Sequence, residues 1–195
     1  MLEVRQTQEF EEWLDRLADT KGKEKVAQRI ARVQSGLFGD VKYFDGIGEL
    51  RVDFGPGYRV YFVSAATPSF CCSSAAPRKP KSATSGSHGV GKGGLEMPGT
   101  TRKKKTTVFD PAKYLASEKS QVELLSDALQ SGDIDYIKNA LGIVARARGM
   151  TTVARSAGVT REALYKATSK SGDPKLSTLL GVAKALGVTL SASAS

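Results

Sequence analysis

The apolar positions of this chain fall into three regimes. Over residues 1–63 the period passes from helical to alternating. Val4 opens a short strand. Thr7 is placed to cap a helix in which Phe10, Trp13, Leu14 and Leu17 recur at helical spacing. Gly22 is expected to break that helix. Val26, Ile30 and Val33 mark a second one, ended near Gly36. Tyr43-Phe44, Leu50-Arg51-Val52-Asp53-Phe54 and Tyr58-Arg59-Val60-Tyr61-Phe62-Val63 then read as strands, the last two joined through Gly55-Pro56-Gly57. The predicted order is β-α-α-β-β-β. Over residues 64–105 periodicity vanishes, and Ser, Ala, Gly, Pro and Lys dominate, which predicts a disordered linker.

Helical spacing returns over residues 106–195. Phe109-Asp110-Pro111 leads into a helix through Tyr114 and Leu115. Val122, Leu124, Leu125, Ala128 and Leu129 line the next one. Gly132-Asp133 opens another, with Ile134, Ile137, Leu141, Val144 and Ala145 expected inward. After the Gly172-Asp173-Pro174 turn, Leu176, Leu179, Leu180, Val182, Ala183 and Leu186 form a final helix ended by Gly187. Between these lies MTTVARSAGVTREALY, residues 150–165, which predicts a helix, a tight turn and a second helix. Ala154 is small where the two helices cross, Gly158 suits a left-handed turn, Thr160 is a good N-cap, and Leu164 points inward. The fold class expected is an α+β N-terminal fragment with an incomplete sheet (1–63), a disordered basic linker (64–105) and an all-α helix-turn-helix bundle of about five helices (106–190).

Charge sharpens this division. Formal net charge is +9. Residues 1–63 carry 10 basic and 11 acidic side chains, residues 64–105 carry 8 and 1, and residues 106–195 carry 11 and 8. The excess therefore lies mostly in the middle stretch, which suits nucleic acid and equally a solvated linker. The two cysteines, Cys71 and Cys72, are neighbours and predict no disulfide framework. With no apolar run of membrane length and no signal peptide visible, a cytoplasmic location is expected. His88, the only histidine, has no ligand spacing with the cysteines, so no metal and no cofactor are expected. Arg102-Lys103-Lys104-Lys105 is either a basic arm reaching a DNA groove or a solvated tail.

The second helix of the 150–165 pair is expected to read DNA. Thr160, Arg161, Glu162, Tyr165 and Lys166 would face the major groove, with Arg161 the candidate for a bidentate guanine contact. Thr151, Thr152, Arg155 and Lys170 would reach the backbone. Val182, Leu186 and Val188 are either dimer contacts or core.

Particular residues carry resemblances. Phe109-Asp110, Tyr114-Leu115, Gly132-Asp133, Ala145-Arg146-Ala147-Arg148-Gly149-Met150, Arg161-Glu162-Ala163-Leu164-Tyr165, Gly172-Asp173-Pro174 and Leu186-Gly187 resemble HigA-type antidote proteins of bacterial addiction modules. That resemblance implies the five-helix fold shared with lambda repressor and Cro. It also implies a homodimer that represses transcription at its own operator DNA and neutralises a cognate RelE-superfamily toxin. Gly48-Glu49-Leu50-Arg51 and Gly55-Pro56-Gly57-Tyr58-Arg59-Val60-Tyr61 resemble HigB toxins of the RelE superfamily, which cut messenger RNA. Arg51 and Arg59 match the side chains that such toxins use to hold phosphate. In that family a strand and a C-terminal helix follow, and here residues 64–105 are expected to supply neither. The ribonuclease half is therefore expected to be inactive, and the working part to be the DNA-binding antidote. The alternative is an endonuclease held inactive in cis by its fused antidote. Ser69 to Ser73 can be encoded so that a shifted frame gives Val-Leu-Leu-Leu, and Met97 follows a stretch that fits a ribosome-binding sequence. A shifted frame and a genuine linker are both compatible with this segment.

Overall fold

The structure, a computed structural model, describes residues 1–64, 69–77 and 105–189. Strand β1 (Glu3–Thr7) runs directly into helix α1 (Gln8–Arg16). Thr7 is both the last strand residue and the helix cap, its Oγ1 accepting from the Phe10 N–H. Asp19 caps α2 (Thr20–Gln34), accepting from the Gly22 N–H at 2.9 Å and from the Tyr58 hydroxyl at 2.6 Å. Those two bonds hold the Asp19 carboxyl below its ordinary pKa. Burial and Asp19 together push the Tyr58 phenol up to about 12. Gly22 is thus not a helix breaker. It lies in the first turn of α2, where a Cβ would stand 2.6 Å from the Tyr58 hydroxyl.

Strands β2 (Val41–Phe44), β3 (Ile47–Val52) and β4 (Tyr58–Ser64) form an antiparallel meander, with Leu50 opposite Val60 and Arg51 opposite Arg59. Alternation puts Leu50, Val52, Tyr58, Val60 and Phe62 on the buried face, where they join Phe10, Leu14, Val26 and Ile30. The full sheet order is β2-β3-β4-β5-β1-β6. Strand β5 (Ser69–Pro77) lies inside it, antiparallel to β4 and parallel to β1. This overturns the expectation that residues 64–105 supply no strand and leave the sheet with an open edge. The physical reason is the slot itself. β4 and β1 both present unpaired backbone groups, and a strand placed between them satisfies two ladders at once, whatever its own propensity. The remaining features expected in that segment, including His88, Met97 and Arg102 to Lys104, lie outside the described residues.

Strand β6 (Thr106–Val108) pairs antiparallel with the other side of β1. A single 3-10 turn, Pro111–Lys113, replaces the longer helix expected near Tyr114. Helices α3 (Glu118–Ser131), α4 (Ile134–Arg148), α5 (Met150–Ser156), α6 (Arg161–Ala167) and α7 (Leu176–Ala185) follow. Their count agrees with the expected bundle. Ile134 was expected inward but is 68% exposed, and the fully enclosed residue of that turn is Tyr136. Ile134 opens α4, where the first turn has no preceding helical layer to cover it. Val182 and Leu186 are buried in the core.

The early sheet and the late helices share one core. Phe109 is buried between Phe10 (ring centroids 6.2 Å apart) and Tyr114 (5.5 Å, stacked). Its N–H donates to the Val4 carbonyl, and Gln34 donates to its carbonyl. α2 packs on α3 and α4, with Asn139 donating to the Ala31 carbonyl at 3.0 Å.

Candidate nucleic-acid interface

The α5–α6 pair is built around two turns and one anchor. Gly149 (φ +92°) separates α4 from α5, and Gly158 (φ +70°) reverses the chain between α5 and α6. The Val159 N–H reaches back to the Ala154 carbonyl, closing the turn. Val153 and Ala154 are buried, and Leu164 is completely enclosed. Thr160 caps α6 by accepting from the Ala163 N–H at 3.1 Å. With Leu164 fixing the inner side, Arg161, Glu162, Ala163, Tyr165 and Lys166 face water.

Each of the nine residues expected at a DNA surface is exposed: Thr151, Thr152, Arg155, Thr160, Arg161, Glu162, Tyr165, Lys166 and Lys170. The Arg161 guanidinium lies 5.4 Å from the Tyr165 ring centroid, with a 3.5 Å contact to its hydroxyl. This pairing across one helical turn orders both side chains on the outer face. It also raises the Arg161 pKa above its ordinary value.

Sequence reasoning missed Lys138. Its side chain is buried in α4, paired with Asp135 at 2.8 Å, and donates to the carbonyls of Lys170 and Gly172. It therefore ties down the turn that follows α6. Gly172 is required there, because a Cβ would collide with the carbonyl oxygens of Lys166 and Ala167. The i,i+3 spacing of Asp135 and Lys138 was the available signal.

Arg51 and Arg59 sit side by side on β3 and β4, on the sheet face opposite the core. Both engage Glu49, at 3.0 and 3.4 Å, and Asp40 lies 4.0 Å from Arg51. Burial works against ionising Glu49, but the Arg51 hydrogen bond and the Arg59 charge win, and its pKa is lowered. The two arginines thus carry an internal carboxylate between them.

A third cluster spans the two parts of the chain. Lys25 pairs with Glu123 at 2.7 Å, and Arg32 bonds both Asp127 oxygens at 2.7 and 2.9 Å. The Tyr136 hydroxyl donates to Asp127 at 2.7 Å. A cleft of about 460 Å³ opens beside them. Among the described residues, no group of His, Cys, Asp and Glu is arranged to hold a metal ion. No helix among them is long and apolar enough to cross a membrane.

Together these features define an α+β protein whose helical C-terminal part presents a short, cation-bearing, well-anchored helix. Residues 105–194 match the family described as probable addiction module antidote protein. Two proteins of Haemophilus influenzae (strain Rd), both described only as uncharacterized, are also similar. One is 47% identical over 78 residues, which is 40% of this chain and 80% of that protein. The other is 48% identical over 61 residues, 31% of this chain and 62% of that protein. No solved structure matches. Through residues 105–194 the chain belongs to the addiction-module antidote family. The match supports an antidote role in a toxin–antitoxin module, with a toxin as partner.

Proposed function

We propose that this antidote is also a sequence-specific repressor that binds operator DNA through α6. The observation that carries the reading is the contrast on α6. Leu164 is completely enclosed, while Arg161, Glu162, Tyr165 and Lys166 all stand in water above it. A helix anchored on one side and polar on the other can enter a major groove without unpacking. Thr160 and Arg161 would read base edges, and Thr151, Thr152, Arg155 and Lys170 would fix register on phosphates. A homodimer would present two such helices about 34 Å apart to a palindromic site. The test is a gel shift with the DNA upstream of the gene. Arg161→Ala should lose about 1–3 kcal/mol of specific binding and much less on random DNA. Equal losses on both would reject the assignment.

A second reading is favoured by the docking of the two parts. Residues 1–77 would be a RelE-like toxin unit held in cis by the antidote. It contributes five strands, β1 to β5, to the six-stranded sheet, so an absent strand is no longer a reason for inactivity. Arg51 and Arg59 would then hold RNA phosphate once released from Glu49. The intact chain should be silent, and ribosome-dependent cleavage should appear once the two halves are separated and be lost again in Arg59→Ala; absence of cleavage in either state would leave the antidote reading alone.

A further inference from the structure

We propose that the α2 face is a phosphodiester-binding groove masked by two carboxylates of α3. This deepens the cis-inhibition reading and rests on it. Lys25, Arg29 and Arg32 recur at i, i+4 and i+7 along α2, so they share one helical face. Arg51 joins them at the wall of the same cleft. Opposite stand Glu123 and Asp127, one turn apart on α3. Arg29 is committed to structure, donating to the carbonyls of Phe38, Asp40 and Arg51. Burial lowers its pKa from the ordinary value, and Arg32 adds to that effect. Lys25 and Arg32 differ in that each spends its charge on a carboxylate from the other part of the chain. Both Asp127 oxygens accept from a single guanidinium nitrogen of Arg32, Nη1, a charge-assisted contact that a phosphate oxygen could replace. Glu123 takes Lys25 and also faces Gln28 at 3.5 Å. The Lys25 hydrogen bond lowers the Glu123 pKa, which favours the charged form of that carboxylate. The ligand class this geometry recognises is a nucleic-acid backbone, whose negative oxygens would replace the two carboxylates.

The experiment removes the mask and keeps the helix. Glu123→Gln with Asp127→Asn is made in the full chain, in an Arg161→Ala background that weakens α6. Binding of labelled single-stranded RNA and of single-stranded DNA of the same sequence is followed by fluorescence anisotropy across a salt series. We expect about tenfold tighter binding at low salt and a log–log salt slope steeper by about 1.4, since two cations are freed and each single-strand contact contributes about 0.7. Adding Lys25→Ala and Arg32→Ala should erase the gain. Tightening on both polymers assigns the backbone alone, and tightening on RNA only assigns the ribose as well. No gain, or a gain that survives the Lys25 and Arg32 changes, overturns the groove. Should the double variant not fold, Glu123→Gln alone, which frees Lys25, is expected to give about threefold. Cleavage is scored separately. Binding without cleavage keeps the groove and removes the nuclease reading, while cleavage without tighter binding does the reverse.

Discussion

Replacing Phe109 with alanine tests whether the early sheet and the late helices are one cooperative unit. The side chain is 1% exposed and wedged between Phe10 of α1 and Tyr114. Its truncation removes a whole ring from the core at the point where the two parts meet. Phe→Ala changes in such settings cost about 3–5 kcal/mol, from lost transfer energy and the cavity left behind. With a urea dependence of about 2–3 kcal/mol per molar for a chain of this size, the midpoint should fall by roughly 1–2 M. The chain offers two separate probes. Its only tryptophan, Trp13, sits in α1 against Phe10 and Tyr58, so its fluorescence reports the N-terminal part. Far-UV circular dichroism is dominated by the helices, five of the seven described being C-terminal. A shared core requires both transitions to coincide before and after the substitution, and to move together. A circular-dichroism midpoint that falls while the Trp13 transition stays put would refute the shared core. So would a shift below about 1 kcal/mol.

Gly22→Ala should destabilise by about 1–3 kcal/mol, because the new methyl meets the Tyr58 hydroxyl and Asp19 inside the cap; an unchanged thermal midpoint would contradict the packing. Lys138→Met should cost about 1–3 kcal/mol by leaving the Lys170 and Gly172 carbonyls unpaired, and it should weaken operator binding through the loosened turn after α6; calorimetry and a gel shift on the same variant check both. Acid should destabilise the fold in a defined direction. Glu123, Glu49, Asp19 and Asp135 all have lowered pKa values when folded, so the unfolded chain binds protons first. Their contribution is complete above about pH 4.5 and is lost as pH falls through the lowered folded values. Urea midpoints taken from pH 6 down to pH 3 should fall, and midpoints flat over that range would show that these carboxylates are not linked to folding.

What the sequence made legible is what periodicity and capping encode. Thr7 and Thr160 cap the helices expected of them, and the Gly158 turn and the Leu164 anchor are where spacing placed them. Three misreadings share one cause, which is tertiary context. Gly22 looked like a breaker because local propensity disfavours glycine in helices, but the space it leaves is taken by Tyr58 from a distant strand. β5 looked unstructured because its Ser, Cys and Ala residues have little strand propensity, yet its ladders are set by β4 and β1. Ile134 counted as core by residue type, whereas the start of α4 leaves it uncovered. The Lys25–Glu123 and Arg32–Asp127 pairs were invisible for the same reason. Each joins residues more than 90 positions apart, and neither member is unusual in its own helix.

Those pairs also separate what holds the two parts together from what screens them. Both ion pairs are partly open to water, with side-chain exposures of 32–46%. After screening, each contributes a few tenths of a kcal/mol rather than the value a dry pair would give. Buried apolar surface at Phe109, Tyr114, Leu124 and Tyr136 is of a different order, near 1.5–3 kcal/mol for each large side chain. Docking is therefore an apolar event, and the carboxylates of α3 decide the charge of the cleft more than the affinity of the interface. It follows that neutralising Glu123 should unmask Lys25 while leaving α3 seated on α2. If the Glu123→Gln chain instead lost the coincidence of its Trp13 and helical transitions, the ion pairs would be the glue, and charge masking would no longer explain why α3 carries its acids on that face.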